Sequence, residues 1–110
     1  MEPRFSLEKF SGDDYVKTYS FQSYQKDQLE KFTALAKELI MKSRAEEGNL
    51  SYSINVSLDD PCLFTFVEVW RDQKAFDIHN RPPHFTDIFP QIQAMSDKAT
   101  PPTFYTELDA

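Results

Sequence analysis

Four side chains in this sequence could carry chemistry together. His79 and His84 are the only two histidines, and they flank the Arg81-Pro82-Pro83 break. Glu68 and Trp70 end an aromatic run, Phe64-Thr65-Phe66-Val67-Glu68-Val69-Trp70. Strand parity puts Phe64, Phe66, Glu68 and Trp70 on one face, so a carboxylate points toward an apolar interior. A buried Glu needs a partner. It either pairs with a base or helix end, or it has a raised pKa and serves as an acid, a base or the orienter of an imidazole. A neutral imidazole near pH 7 could take a phenolic proton. His79 and His84 could instead only cap carbonyls or pack. Trp70 reads equally as a large core residue and as a wall for a flat ring. Tyr52 points inward with Leu50 and Ile54, and one of Tyr15, Tyr19 and Tyr24 does the same.

Other chemistries are disfavoured. The two histidines are five residues apart across two prolines, unlike a helical metal pair, so no metal is expected. Cys62 follows a turn and has no evident base, so it reads as a small filler. No glycine-rich loop offers a seat for a nucleotide cofactor.

The elements that must hold these groups follow from periodicity. Tyr15 to Tyr24 is rich in aromatic and β-branched residues and predicts a strand. Leu29, Phe32, Leu35, Ala36, Leu39 and Ile40 mark one helical face, so a helix is expected over about 27–45, capped near Asp27 and ended by a left-handed Gly48. Residues 50–58 alternate strictly, with Leu50, Tyr52, Ile54, Val56 and Leu58 on one side. Asp59-Asp60-Pro61 turns the chain into the strand Leu63 to Trp70. Asp72 caps a short helix bearing Ala75, Phe76 and His79. A second helix carries Phe85, Ile88, Phe89, Ile92 and Met95, with Pro90 either kinking it or starting a new turn. Thr103 to Leu108 reads as a last strand, and residues 1–14 as an N-terminal arm.

That order is the split βαβ of a ferredoxin-like α+β sandwich. Helices cover one sheet face. The other face, with Thr65, Val67 and Val69, is apolar enough to need a cover, and a second copy of the sheet supplies one, so a homodimer is expected.

The chain has 110 residues, 15% aromatic residues, two glycines and a net charge of −6. This is one domain with a real core. No basic patch serves nucleic acid, and no segment is long and apolar enough for a membrane. A single cysteine and a charged N-terminal stretch lead to the expectation of a cytoplasmic protein.

The ordered motifs resemble the antibiotic biosynthesis monooxygenase family. They are Glu47-Gly48-Asn49-Leu50-Ser51-Tyr52 after the long helix, the Asp-Asp-Pro turn, Phe66-Val67-Glu68-Val69-Trp70, then Arg71-Asp72, Ala75-Phe76, His79 and Pro83-His84-Phe85. The resemblance covers about residues 15–108. It implies a dimeric α+β barrel with a pocket between sheet and helices. It also implies oxidation of a phenolic or quinol-like aromatic by molecular oxygen, without flavin, haem or metal. On that basis His79 or His84 is expected as the proton acceptor, with Glu68 as its orienter or as the alternative base. Trp70, Phe66, Phe85 and Tyr52 are expected to bind the substrate. Haem-degrading relatives place an Asn on the first strand, and residues 15–24 contain none. A non-catalytic ligand-binding or stress-associated dimer is one rival. An isomerase of a small phosphorylated carbonyl compound is another, which would need Arg71 or Arg81 in the pocket.

Overall fold

The computed structural model describes residues 15–108. The expected arm, residues 1–14, lies outside them. Strand β1 spans Val16–Tyr24, helix α1 Leu29–Arg44, strands β2 Asn49–Val56 and β3 Leu63–Trp70, and helix α2 Gln73–His79. Helix α3, Phe89–Ala94, is preceded by one wide π-helical turn, His84–Ile88. Two short strands follow, β4 Ser96–Ala99 and β5 Thr103–Tyr105. The antiparallel sheet has the order β2-β3-β1-β4, and β5 continues along β1 beyond β4. This is the ferredoxin-like α+β sandwich.

Parity on β1 decides what lies under the helices. Val16, Thr18, Ser20, Gln22 and Tyr24 are buried, opposite Trp70, Glu68, Phe66 and Phe64 for the first four. Tyr24 is therefore the inward tyrosine, and it stacks on Phe32 of α1 with ring centroids 4.0 Å apart. Phe32, Ala36, Leu39 and Ser43 form the buried stripe of α1, the face that apolar periodicity marks.

Several expectations need correction. The apolar side of β2 is only partly buried. Ser51 pairs with Val69 while Asn49 pairs with Trp70, so Leu50 is squeezed out as a bulge and stays half exposed. The strand ends at Val56, and Leu58 in the turn is fully exposed. No side chain caps α1; a 3-10 turn, Lys26–Gln28, leads into it. Of the two alternatives for Pro90, the new turn holds: it stands in the first turn of α3, after the π turn, where a missing N–H costs little. The fourth strand begins at Ser96, well before the expected Thr103. Pro101-Pro102 then interrupts its pairing, because proline cannot donate to the ladder.

Gly48 is not left-handed. Its role is close approach: a Cβ there would stand 2.4 Å from Ala75 Cβ of α2. The Gly48 carbonyl accepts from Arg71 N–H at 2.9 Å, so the backbone has little freedom to retreat. We therefore predict that Gly48→Ala destabilises the protein by about 1–3 kcal/mol. Adding Ala75→Gly should cost less in that background than in the wild type. Denaturant unfolding of the four proteins measures this, and additive effects would mean that the two sites do not touch.

Candidate active site

The turn after α1 is fixed from both sides. Glu46 N–H donates to the Ser43 carbonyl, and Asn49 N–H donates to the Glu46 carbonyl at 3.0 Å. Arg44 Nε donates to the Tyr52 carbonyl at 2.9 Å and ties the helix end to β2. The Glu46 side chain is thereby held partly buried, at the edge of an outer groove. Its Oε2 lies 2.7 Å from His79 Nδ1 and 2.6 Å from His84 Nε2. One carboxylate oxygen thus receives two imidazoles from two other segments.

His79 closes α2, whose first turn Asp72 caps by accepting from Ala75 N–H at 2.8 Å. The imidazole is 2% exposed. It sits 4.5 Å from the Trp70 ring, 5.2 Å from Phe85 and 5.7 Å from Tyr52, centroid to centroid. Burial lowers its pKa and outweighs the opposing pull of Glu46, so the neutral ring is favoured. With Nδ1 engaged by Glu46, Nε2 is the nitrogen left for another partner.

Between sheet and helices lies a cavity of about 550 Å³. His79 and Glu68 enter it among Phe66, Phe76, Phe85 and Phe89, and Tyr52 also lines it. Ser20 and Gln22 of β1 add polar points, with Gln22 accepting from the Tyr24 hydroxyl. The connection from Ala99 to Pro102 edges the cavity on the β4 side. Burial pushes the Glu68 carboxyl up to about 7, although the Trp70 indole N–H, 3.0 Å from Oε1, favours the charged form. Burial also raises the Tyr52 phenol well above its ordinary value, so it remains protonated.

Of the expected site residues, His79, Glu68, Phe66, Phe85 and Tyr52 line this cavity. Trp70 does not. It is fully buried behind the cavity wall, where Phe76 meets it edge-on at 6.3 Å, and it touches the site through Glu68 and the His79 ring. His84 is the second correction. It lines a separate groove with Arg71 and Arg81, on the far side of Glu46. The third concerns the carboxylate beside the imidazole: Glu46 contacts His79, and Glu68 accepts from Trp70 instead. Glu46 was readable in principle, since the buried stripe Phe32, Ala36, Leu39, Ser43 extends by three residues to it. Ser20 and Gln22 share the inward parity of Thr18 and were equally accessible.

Spacing along the chain underrates how close the histidines come. Among the described residues, Glu46, His79 and His84 are the set whose donor types suit a metal. Their N···O separations of 2.6 and 2.7 Å are nonetheless hydrogen-bond lengths. Ligands about 2.0–2.1 Å from one ion stand at least about 2.9 Å apart. In this arrangement the three side chains are joined by hydrogen bonds. Arg71 and Arg81 line the outer groove, and among the described residues no Lys or Arg lines the main cavity.

Comparison with known proteins agrees with this architecture. The family model for antibiotic biosynthesis monooxygenase matches residues 18–91, and the chain belongs to that family. It is 32% identical over 86 residues to an uncharacterized protein of Synechocystis, covering 78% of this chain and 58% of that one. It is 38% identical over 56 residues to a Bacillus subtilis protein provisionally named monooxygenase YcnE, covering 51% and 59% of the two chains. The matches thus span under two thirds of these relatives' lengths. A solved antibiotic biosynthesis monooxygenase superposes with a TM-score of 0.75 at 32% identity, over 86% of this chain and 97% of the other. A conserved protein from Methanosarcina mazei superposes with a TM-score of 0.80 at 29% identity, over 86% and 93%. No helix among the described residues is long and apolar enough to cross a membrane.

The raised Glu68 pKa has a thermodynamic consequence. A pKa higher in the folded chain than in the unfolded one stabilises the fold below about 4.5, and that contribution is lost as pH rises toward about 7. Relative to wild type, Glu68→Gln should therefore gain stability over that interval, by up to about 3 kcal/mol at neutral pH. Urea unfolding across the interval checks this. A stability difference independent of pH would mean that Glu68 ionises as freely folded as unfolded.

Proposed function

We propose that this protein is a monooxygenase that oxidises a phenolic or quinol-type aromatic with molecular oxygen and without flavin, haem or metal. The observation that carries the reading is the pairing, in one aromatic cavity, of an imidazole held neutral with a carboxyl held near its protonated state. Environments that push two titratable groups toward opposite charge states assign base and acid.

Triplet oxygen reacts slowly with closed-shell molecules because spin must change. A phenolate is electron-rich enough to pass one electron to oxygen, so the substrate does the work of a cofactor. His79 Nε2 takes the phenolic proton, and Glu46 stabilises the resulting imidazolium through Nδ1. One electron passes from phenolate to oxygen. The phenoxyl and superoxide radicals then combine at a hydrogen-bearing ring carbon ortho or para to the oxygen, forming a C–O bond. Glu68 protonates the distal peroxide oxygen. The ring C–H proton then returns to Glu68 as the O–O bond breaks, leaving a quinone carbonyl. The departing hydroxide takes the proton from His79 and leaves as water. Phenol plus O2 becomes quinone plus H2O, and both side chains return to their starting state. Phe66, Phe76 and Phe85 hold the ring, and the cavity excludes bulk water.

The assembly belongs to this reading. The sheet face away from the helices carries Tyr19, Phe21, Val67, Val69 and Tyr105, with Phe21 51% and Tyr105 53% exposed. A second copy of the same face is the economical cover, giving a homodimer with one cavity per subunit.

Oxygen uptake with naphthohydroquinones and anthrone-type phenols, measured above the uncatalysed rate, tests the activity. His79→Gln should lower kcat by about 10²–10⁴-fold. For wild type, kcat/KM should rise as His79 loses its proton, at a pH below its ordinary 6.5. It should fall as Glu68 ionises at about 7. No uptake above background across such substrates would leave the ligand-binding dimer as the better account.

A further inference from the structure

Two hollows lie on opposite sides of one carboxylate. The main cavity is lined by His79 but by neither Glu46 nor His84. The second, about 450 Å³, is lined by Glu46 and His84 together with Arg71 and Arg81, but not by His79. The two imidazoles therefore share an oxygen while facing different spaces.

We propose that Glu46 couples His79 to His84 so that a proton arriving on His79 from the cavity is matched by a proton leaving His84 into the outer groove. This role rests on the reading of His79 as the proton acceptor. The coupling itself rests on geometry alone. His79 contacts Glu46 through Nδ1, so its Nε2 serves the cavity; His84 contacts Glu46 through Nε2, so its Nδ1 serves the groove. The rings are 6.0 Å apart, centroid to centroid. A single carboxylate neutralises one positive charge well and two poorly, in surroundings where water screens little. When His79 becomes an imidazolium while His84 also carries both of its ring protons, His84 yields its Nδ1 proton to water in the groove. One proton leaves the substrate, one enters solvent, and the charge around Glu46 is unchanged. His84 takes a proton back from the groove when His79 passes its own to the departing hydroxide, so the cavity exchanges protons with solvent without admitting water.

Arg71, Arg81 and Glu47 are the charged groups that line the groove with His84 and Glu46. From the sheet, Glu68 and Tyr52 face His79. Tyr52 remains protonated, and Glu68 is the one competing proton acceptor in the cavity. The mutual influence of the rings is also visible in His79, whose protonation is disfavoured by His84 as well as by burial.

Because the chain has two histidines, a ¹⁵N-histidine-labelled sample reports both imidazoles without ambiguity. In wild type the pair should titrate in two coupled steps. In His84→Gln, His79 should titrate in one step, with its midpoint raised by about one pH unit. An unchanged His79 midpoint in a variant with an intact amide spectrum overturns the proposal. A second measurement uses wild type alone, with 4-nitrophenol as a probe that is yellow when ionised. Across the pH range in which the imidazoles titrate, yellow bound phenolate should be accompanied by release of up to one proton per site to the buffer, read by calorimetry in buffers of different ionisation enthalpy. Yellow phenolate with no proton release overturns the coupling and leaves the oxygenase reading untouched. A bound phenol that stays colourless overturns His79 as the base, and with it the outlet role. Coupled titrations with no quinol turnover would retain the coupling and reject the oxygenase.

Discussion

A carboxylate taken out of water must be met by donors, and here one oxygen of Glu46 meets two. Three segments that are distant in sequence converge on it: the turn after α1, the end of α2 and the start of the π turn. Satisfying Glu46 therefore requires the two covering helical segments to sit in one place on the sheet. Losing either imidazole would leave a partly buried carboxylate short of a donor, a larger cost than the net worth of the hydrogen bond itself. The same contact fixes Nδ1 of His79 and so decides which nitrogen faces the cavity. Local stability and the chemistry of the site thus depend on one shared atom.

The rest of the fold protects that geometry. Gly48 lets the turn after α1 press against Ala75, which brings the end of α1 and the start of α2 into register. Trp70, fully buried below α2, supports the His79 ring and holds Glu68 from the other side. Glu68 and His79 enter the same cavity with opposite tendencies, because burial resists charge on each and neutrality means a proton gained for one and lost for the other. Membership of the family fixes the fold. In the proposed mechanism, the balance between these two groups assigns base and acid.

Much of this was legible in the sequence, for physical reasons. The stripe of α1, the parity of β3 and the Asp72 cap are local rules, and they put Phe66, Glu68 and His79 on the side where the cavity lies. What stayed hidden depended on non-local geometry. Trp70 has the right parity, but it falls beneath α2, whose position no strand pattern encodes. His84 follows two prolines that redirect the chain, so its spacing from His79 says little about where its ring points. The bulge at Leu50 broke an alternation that looked complete. Glu46 lay on an extension of the helical stripe, beyond the last apolar residue. A stripe that ends in a carboxylate reads as leaving the core, although here it enters the site.

The claim on which the account rests is that Glu46 presents the free nitrogen of His79 to a ring bound among the phenylalanines. A crystal structure with a redox-inert halogenated phenol tests it most directly. The account predicts the phenol oxygen within hydrogen-bond distance of His79 Nε2, about 2.6–3.2 Å, with the ring between Phe66, Phe76 and Phe85 and the Glu46 contact intact. A phenol seated in the Arg71 groove, or one in the cavity with its oxygen turned away from His79, would contradict it.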